Sequence, residues 1–213
     1  MEQTQTAKTL KLTIKSTFMD RQRLLTIEPG YMEFDDKDAA ASVATRFEKS
    51  AITQLRYGIK AIQGYSFNIG RIYCVDVQTH DKRVIKIRLK TIYGIRKNQL
   101  YEKYVAIVNA LYDHFFDDII HNYVNQLTEG KAFELLGMQF SAQGMVIDRK
   151  WDLVPWENIS TRSYRTYYSV FDKLQPYRYK AFEFVNDWNT CILLNVSREI
   201  LRQKGLFKED STA

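Results

Sequence analysis

The chain has 213 residues, a length that can bury one large core or two smaller ones. Hydrophobic residues make up 45% and charged residues 26%, which is the balance of a folded globular protein, and the few glycines and prolines exclude long low-complexity linkers. The net charge of +6 permits anionic partners without requiring them. The polar start of the chain and the lack of any apolar run of about 18 to 20 residues predict a cytoplasmic protein. Two isolated cysteines, Cys74 and Cys191, predict buried free thiols rather than a disulfide framework.

The first 98 residues predict β-strands. Apolar and polar residues alternate over 10–14, which is the pattern of a half-buried strand. Glu28-Pro29-Gly30 predicts a turn, and strands over 71–77 and 83–89 are expected to join in a hairpin at Thr79 to Lys82.

The apolar spacing becomes helical from Gln99 onward. Apolar residues recur in steps of three or four, at Tyr101, Val105, Val108, Tyr112, Phe116, Ile119, Tyr123 and Leu127. Asn98 can cap the start of this helix, and Gly130 suits its end. We therefore expect one continuous helix over 99–129, roughly 45 Å long. A helix of that length could pack against two modules.

After Gly130 the strand pattern returns. A turn at Ser141 to Gly144 leads to strands within 151–156 and 159–171. Strands over 178–185 and 191–196 are expected to form a hairpin at Asn186 to Asn189. A short helix over 197–204 should end at Gly205.

The two β-regions show the same order of features, which suggests an internal repeat. Gly30 and the strand after it correspond to Gly144 and the strand after it. In the same way Phe47-Glu48 corresponds to Trp156-Glu157, and the two expected hairpins correspond to each other.

The second half resembles a pleckstrin-homology (PH) or GRAM-type module. The resemblance rests on Phe140, on Gly144-Met145-Val146-Ile147 and on Val154-Pro155-Trp156-Glu157-Asn158-Ile159. The first half is similar in layout but has Arg46-Phe47 in place of the Pro-Trp pair. The resemblance implies a strongly bent antiparallel sheet with one open corner closed by a helix, and binding rather than catalysis.

These features predict an α+β protein made of two PH-like half-barrel modules with a long central helix and a short C-terminal helix. Module 1 would span 10–129, including the helix over 99–129, and module 2 would span 131–205. The segments 1–9 and 206–213 are expected to be flexible tails.

A basic strand is the first candidate binding site. Lys86, Arg88 and Lys90 alternate with apolar residues, so all three cations are expected on one face of the strand. Such a face could bind the phosphates of a lipid surface or a nucleic acid. It could equally be a solvated face that prevents aggregation.

A cluster of tyrosines and arginines is the second candidate. Its members are Arg162, Tyr164, Arg165, Tyr167, Tyr168, Tyr177, Arg178 and Tyr179. Both residue types are enriched at interfaces and at stacking sites. Strand alternation predicts that Arg162, Tyr164 and Tyr168 share one face while Arg165 and Tyr167 share the other, so part of the cluster would be core.

A weak candidate metal site lies on the helix, where His114, Asp118 and His121 recur at i, i+4 and i+7. These three residues lie on the helix face opposite the apolar stripe, so we expect a solvated polar face there instead. Motifs of hydrolases, nucleotide-binding loops and zinc proteases are missing from the sequence.

The sequence therefore predicts a non-catalytic binding or scaffold protein that needs no cofactor. Its partner would be another protein or an anionic surface. The alternatives are an RNA- or DNA-binding protein that uses the basic strand and the tyrosine cluster, and a metal-dependent enzyme that uses the helix.

Overall fold

The computed structural model describes residues 9–15, 21–36 and 43–207, so the expected tails lie almost wholly outside the described residues. Several antiparallel sheets, one long helix and one C-terminal helix confirm the α+β class. The chain divides into two compact units, Met1–Asp117 (unit 1) and Asp118–Ala213 (unit 2). The division falls inside the long helix.

Unit 1 begins with a four-stranded antiparallel meander, in which each strand pairs with the next. Its strands are β1 (Leu10–Ile14), β2 (Arg23–Glu28), β3 (Tyr31–Phe34) and β4 (Thr45–Glu48). A short 3-10 turn, Lys49–Ala51, leads to a second, three-stranded meander. Its strands are β5 (Ile52–Gln63), β6 (Asn68–Thr79) and β7 (Val84–Ile92). The expected hairpin between β6 and β7 is confirmed.

The long helix runs without interruption through three segments. These are α1 (Lys97–Leu111), a π-helical segment (Tyr112–Phe116) and α2 (Asp117–Thr128). Asn98 is not the cap, because the helix already begins at Lys97, after Arg96 in a left-handed conformation. Gly130 follows the helix with φ +76°, as expected for a residue that ends it.

The π-helical segment changes which residues are buried. The buried row runs at first through Tyr104, Val108, Leu111 and Phe115, and after that through Phe116, Ile120, Val124 and Leu127, so the second row has one extra residue relative to the first. In a regular α-helix the extra residue would rotate the row by about 100°. The π turn absorbs it, with the Asp117 N–H donating to the Tyr112 carbonyl five residues back. The sequence pattern missed this step, and Tyr101 of the expected stripe is half exposed.

The helix of unit 1 packs on both meanders. Segment α1 contacts β1 and β2 as well as β6 and β7. Tyr104 of α1 lies 5.3 Å from Tyr73 of β6 and 6.3 Å from Tyr57 of β5, measured between ring centroids. The inner face of the three-stranded sheet is therefore covered, and its opposite face is the one that meets solvent.

Unit 2 continues after α2 with another pair of antiparallel meanders. The four-stranded one contains β8 (Phe133–Leu135), β9 (Met138–Phe140), β10 (Gly144–Val146) and β11 (Val154–Pro155). The 3-10 turn Trp156–Asn158 precedes the three-stranded one, formed by β12 (Ile159–Ser163), β13 (Tyr167–Asp172) and β14 (Tyr179–Glu183). Helix α3 (Thr190–Gln203) follows and contacts β13.

The expected strand over 191–196 is wrong, because these residues form the first half of α3. The run Cys191 to Leu194 is short and apolar, so it resembles a strand when read alone. Together with Val196, Ile200 and Leu201 it gives an amphipathic helix with one buried face. Helix α3 ends before Gly205 (φ +69°), as expected.

The two units have the same order of elements and share backbone contacts at matching places. In each unit, the backbone carbonyl of the residue just before the three-stranded meander accepts a hydrogen bond from a backbone N–H. That N–H belongs to the residue just after the central strand of the same meander. Ala51 accepts from His80 at 2.9 Å in unit 1, and Asn158 accepts from Lys173 at 2.7 Å in unit 2.

This correspondence corrects two of the expected pairings. The unit 2 counterpart of the β6–β7 turn is the connection 173–178 between β13 and β14, whereas the expected hairpin at Asn186 to Asn189 precedes a helix. Phe47 lies in β4 whereas Trp156 lies in the 3-10 turn, so the two residues are not equivalent.

We expect Phe116→Ala to lower the free energy of unfolding by about 3–5 kcal/mol, because the ring is fully buried in the π-helical segment. Phe67→Ala makes the same chemical change on a ring that is 64% exposed and should cost about 0.5 kcal/mol or less. Urea unfolding of both variants measures the difference. Equal effects would show that Phe116 is not part of a packed core.

Candidate functional site

The basic strand lies where the sequence predicts it, on the outer face of the β5–β6–β7 sheet. Ile85, Ile87 and Leu89 are buried on the inner face. Lys86 is exposed, and Arg88 and Lys90 are half-buried on the outer face. Strand β5 adds Arg56 and Lys60 to that face, since their register partners there are Asp76 and Ile72. We call these five cations together with Asp76 the basic sheet face.

Asp76 is the one residue of the basic sheet face that is almost fully buried, with 2% of its surface exposed. Arg56 Nε donates to its carboxylate at 2.9 Å, and Arg88 Nη1 forms a second ion pair with it. Arg88 thus holds a structural position in the sheet. The cations of this face that have no such bond to Asp76 include Lys86 and Lys90.

Cys74 lies on the same outer face of β6, one register step from Asp76. Burial raises the pKa of its thiol above the ordinary value, and the nearby cations Arg88 and Lys60 offset only part of that rise. A thiol with a raised pKa remains protonated and is a poor nucleophile at neutral pH. Cys74 and Cys191 are both free and buried, as expected.

The outer face of the β12–β13–β14 sheet carries a groove, which follows from the order of residues along the strands. Arg162, Ser169 and Ala181 face one another across the three strands, and the last two have small side chains. On one side of this row stand Phe171 and Tyr179, which are register partners. On the other side stand Tyr164 and Tyr167.

Tyr164 and Tyr167 meet across the two-residue turn between β12 and β13. The Tyr164 N–H donates to the Tyr167 carbonyl at 2.9 Å, and the two rings stack with centroids 4.4 Å apart. The expectation that these tyrosines point to opposite faces is wrong, because the chain reverses between them. Tyr168, expected beside Tyr164, is instead buried and hydrogen-bonded to Ser197 of α3 at 2.7 Å.

These side chains enclose a cavity of about 380 Å³ that also includes Pro176. The Arg162 guanidinium lies 5.9 Å from the Tyr164 ring centroid. Burial, followed by the neighbouring Tyr164, raises the pKa of the Tyr167 phenol, so it stays protonated at neutral pH and can both donate and accept a hydrogen bond. We call this cavity the tyrosine groove. Arg165 lies exposed in the turn beside it and does not line it.

The metal candidate is not assembled. His114 is buried in the π-helical segment, while Asp118 and His121 are exposed. The expected solvated arc is therefore wrong for His114, because the π turn shifts the phase of the helix at that point. Within the part of the chain that the structure describes, no group of three His, Cys, Asp or Glu side chains could hold a metal ion.

Sequence reasoning missed Asp76 on the basic sheet face and both Phe171 and Pro176 in the tyrosine groove. Strand alternation could have placed Asp76, since it follows the buried Val75 in a long strand. Phe171 required the register between β13 and β14. Pro176 required the path of a turn, which no periodicity encodes.

Comparison of the chain with protein-family models, with curated proteins and with solved structures finds no match. No helix in the described part of the chain is long and apolar enough to cross a membrane.

We expect Arg88→Glu to destabilise unit 1 by about 2 kcal/mol, because it places a second carboxylate against the buried Asp76. The cost should fall below the roughly 3–5 kcal/mol of fully buried pairs, since the Arg88 side chain is 34% exposed. Lys90→Glu makes the same charge change opposite Ile72 and should cost about 0.5 kcal/mol or less. Thermal unfolding of the two variants tests this, and an equal cost would contradict a structural role for Arg88.

Proposed function

We propose that the protein is a non-catalytic binding protein built from two repeated PH-like units. Three features support the PH-like assignment. In each unit a four-stranded and a three-stranded antiparallel meander follow each other, and a helix packs on the central strand of the second meander. The residues behind the resemblance also lie together, since the Trp156 Nε1–H donates to the Ser141 carbonyl at 3.0 Å and its ring lies 6.2 Å from that of Phe140.

We propose further that the tyrosine groove of unit 2 receives an extended segment of a partner protein. The observation that carries this proposal is the arrangement of aromatic side chains on two sides of the small residues Ser169 and Ala181. One side is formed by Tyr164 and Tyr167, and the other by Phe171 and Tyr179. Tyr167 and Phe171 are four residues apart on β13, so the two sides are separated by roughly 13 Å. That width admits one extended chain.

The chemistry of the groove favours a segment that contains proline. A polyproline II segment makes no internal hydrogen bonds, so its carbonyls remain free to accept from phenols or a guanidinium. Tyr164, Tyr167 and Arg162 supply such donors, while the aromatic rings pack against pyrrolidine faces. Tyrosine and arginine are also among the residues enriched at the energetic centres of interfaces.

A peptide selection against the purified protein tests the groove. We expect the recovered peptides to be enriched in proline. Ala181→Arg should weaken their binding about tenfold or more by filling the floor of the groove without removing a core side chain. Ala61→Arg, at an exposed strand alanine of unit 1, is the matched control and should leave binding unchanged. Selected peptides that bind both variants equally would contradict the proposal.

Binding of an anionic polymer or surface to the basic sheet face is the second candidate function. It is favoured by the charge of that face, where five cations surround a single carboxylate. Lipid phosphates and nucleic-acid phosphates would both be attracted to it.

Charge reversal at Lys86 and Lys90 tests this candidate while the ion pairs of Asp76 stay intact. The double Glu variant should remain folded and should lose binding to single-stranded RNA or to anionic vesicles, whichever the unmodified protein binds. Binding should also weaken with added salt. If the unmodified protein binds neither ligand at low salt, the basic sheet face has no such role.

A further inference from the structure

We propose that the partner segment in the tyrosine groove carries a carboxylate and that Arg162 binds it, as Arg56 binds Asp76 in unit 1. This inference rests on the proposed function of the groove and names the chemistry of its ligand. Arg162 lines the groove beside Tyr164, and its Nη1 donates to the Tyr164 hydroxyl at 3.4 Å. A guanidinium has five N–H donors and can bind a carboxylate through two of them.

The repeat of the two units relates Arg162 to Arg56 through the strand register. In each unit the first residue of the three-stranded meander pairs with the last residue of its central strand. Three residues back from that pair along the central strand, unit 1 has Asp76 and unit 2 has Ser169. The register partner on the first strand is Arg56 in unit 1 and Arg162 in unit 2. The two arginines therefore hold equivalent positions.

In unit 1 the protein supplies the carboxylate itself. Arg56 Nε donates to Asp76 at 2.9 Å, and Asp76 is only 2% exposed. In unit 2 a serine replaces that carboxylate opposite the arginine, and Ala181 replaces Lys86 on the third strand. These smaller side chains lie at the bottom of the cavity beside the arginine. The carboxylate of a ligand can therefore reach the guanidinium there.

The acidic side chains of the β12–β13–β14 sheet do not line the groove. They are Asp172 and Glu183, and none of the described residues that line the groove is acidic. Asp172 accepts a hydrogen bond from the Leu174 N–H at 2.8 Å, and Glu183 accepts one from the Asn186 amide. The charge of the described groove lining is positive, which favours an anionic group in the ligand.

The surroundings of Arg162 fit a carboxylate better than a phosphate. One guanidinium balances the single charge of a carboxylate, whereas a phosphate monoester carries about −1.5 to −2. The Tyr167 phenol stays protonated at neutral pH, so it can donate a hydrogen bond to the second carboxylate oxygen. The carboxylate could belong to an Asp or Glu side chain of the segment or to its C-terminus.

Short proline peptides test the inference and distinguish these two sources. In one set the ends are blocked, one Asp is placed at each position in turn, and a matched set has Asn there. In the other comparison a peptide without acidic residues has either a free or an amidated C-terminus. We expect the carboxylate form to bind about tenfold more tightly than its neutral counterpart in one of the two comparisons. Isothermal titration measures this preference.

Variants of the full chain assign the preference to Arg162. Ser169→Asp places in unit 2 the carboxylate that unit 1 has, so the preference should disappear. Ser169→Asn introduces a side chain of the same size without the charge and should retain the preference, even where the overall affinity is lower. Arg162→Gln should abolish the preference. Arg165→Gln is the same change at an exposed arginine that does not line the groove, and it should retain the preference.

The outcomes separate this inference from the proposed function. Proline peptides that bind with no preference for the carboxylate form would overturn the inference and leave the groove as a peptide site. Equal preferences in Arg162→Gln and Arg165→Gln would overturn the role of Arg162. If no proline peptide binds, the inference and the proposed function of the groove both fail.

Discussion

The packing of a helix against the central strand of a three-stranded sheet is the contact on which the rest of each unit depends. In unit 1 the rings of Tyr104 on the helix and Tyr73 on the strand make this contact. In unit 2 it is made by a buried hydrogen bond between the hydroxyls of Tyr168 on the strand and Ser197 on the helix. The helix packs on one face of the sheet. On the outer face, exposed side chains such as Lys86 can change without disturbing the core, whereas the buried Asp76 cannot. Both the basic sheet face and the tyrosine groove lie on such outer faces.

The matching backbone bonds show why the two units keep one architecture with few identical residues. The bonds from His80 to Ala51 and from Lys173 to Asn158 use main-chain atoms, which every residue supplies. They fix the point where the first meander passes into the second. They make no demand on the side chains of the outer faces. Unit 1 carries cations on its outer face, while unit 2 carries aromatic rings there.

The sequence predicts those parts of the fold that follow from local periodicity. Alternation placed Ile85, Ile87 and Leu89 in the core, and glycines placed the helix ends at Gly130 and Gly205. It failed where a residue depends on contacts distant in sequence. The run from Cys191 looks like a strand until Ile200 and Leu201 are counted with it. The buried His114 depends on a π turn that no three-or-four spacing reveals.

The candidate sites depend even more on contacts between residues distant in sequence, so the sequence alone predicts them less well than the fold. Tyr164 and Tyr167 could be named from composition, yet their stacking depends on a two-residue turn that reverses the strand between them. Arg88 could be placed on a face, yet its ion pair with Asp76 depends on the register of β6 against β7. Lys15, Arg96 and Lys103 have no common pattern in the sequence, yet they line one cavity of about 310 Å³ in unit 1, where the Lys103 ammonium donates to the Thr13 carbonyl in β1. Their meeting depends on the packing of α1 against β1 and β7, which no local periodicity encodes.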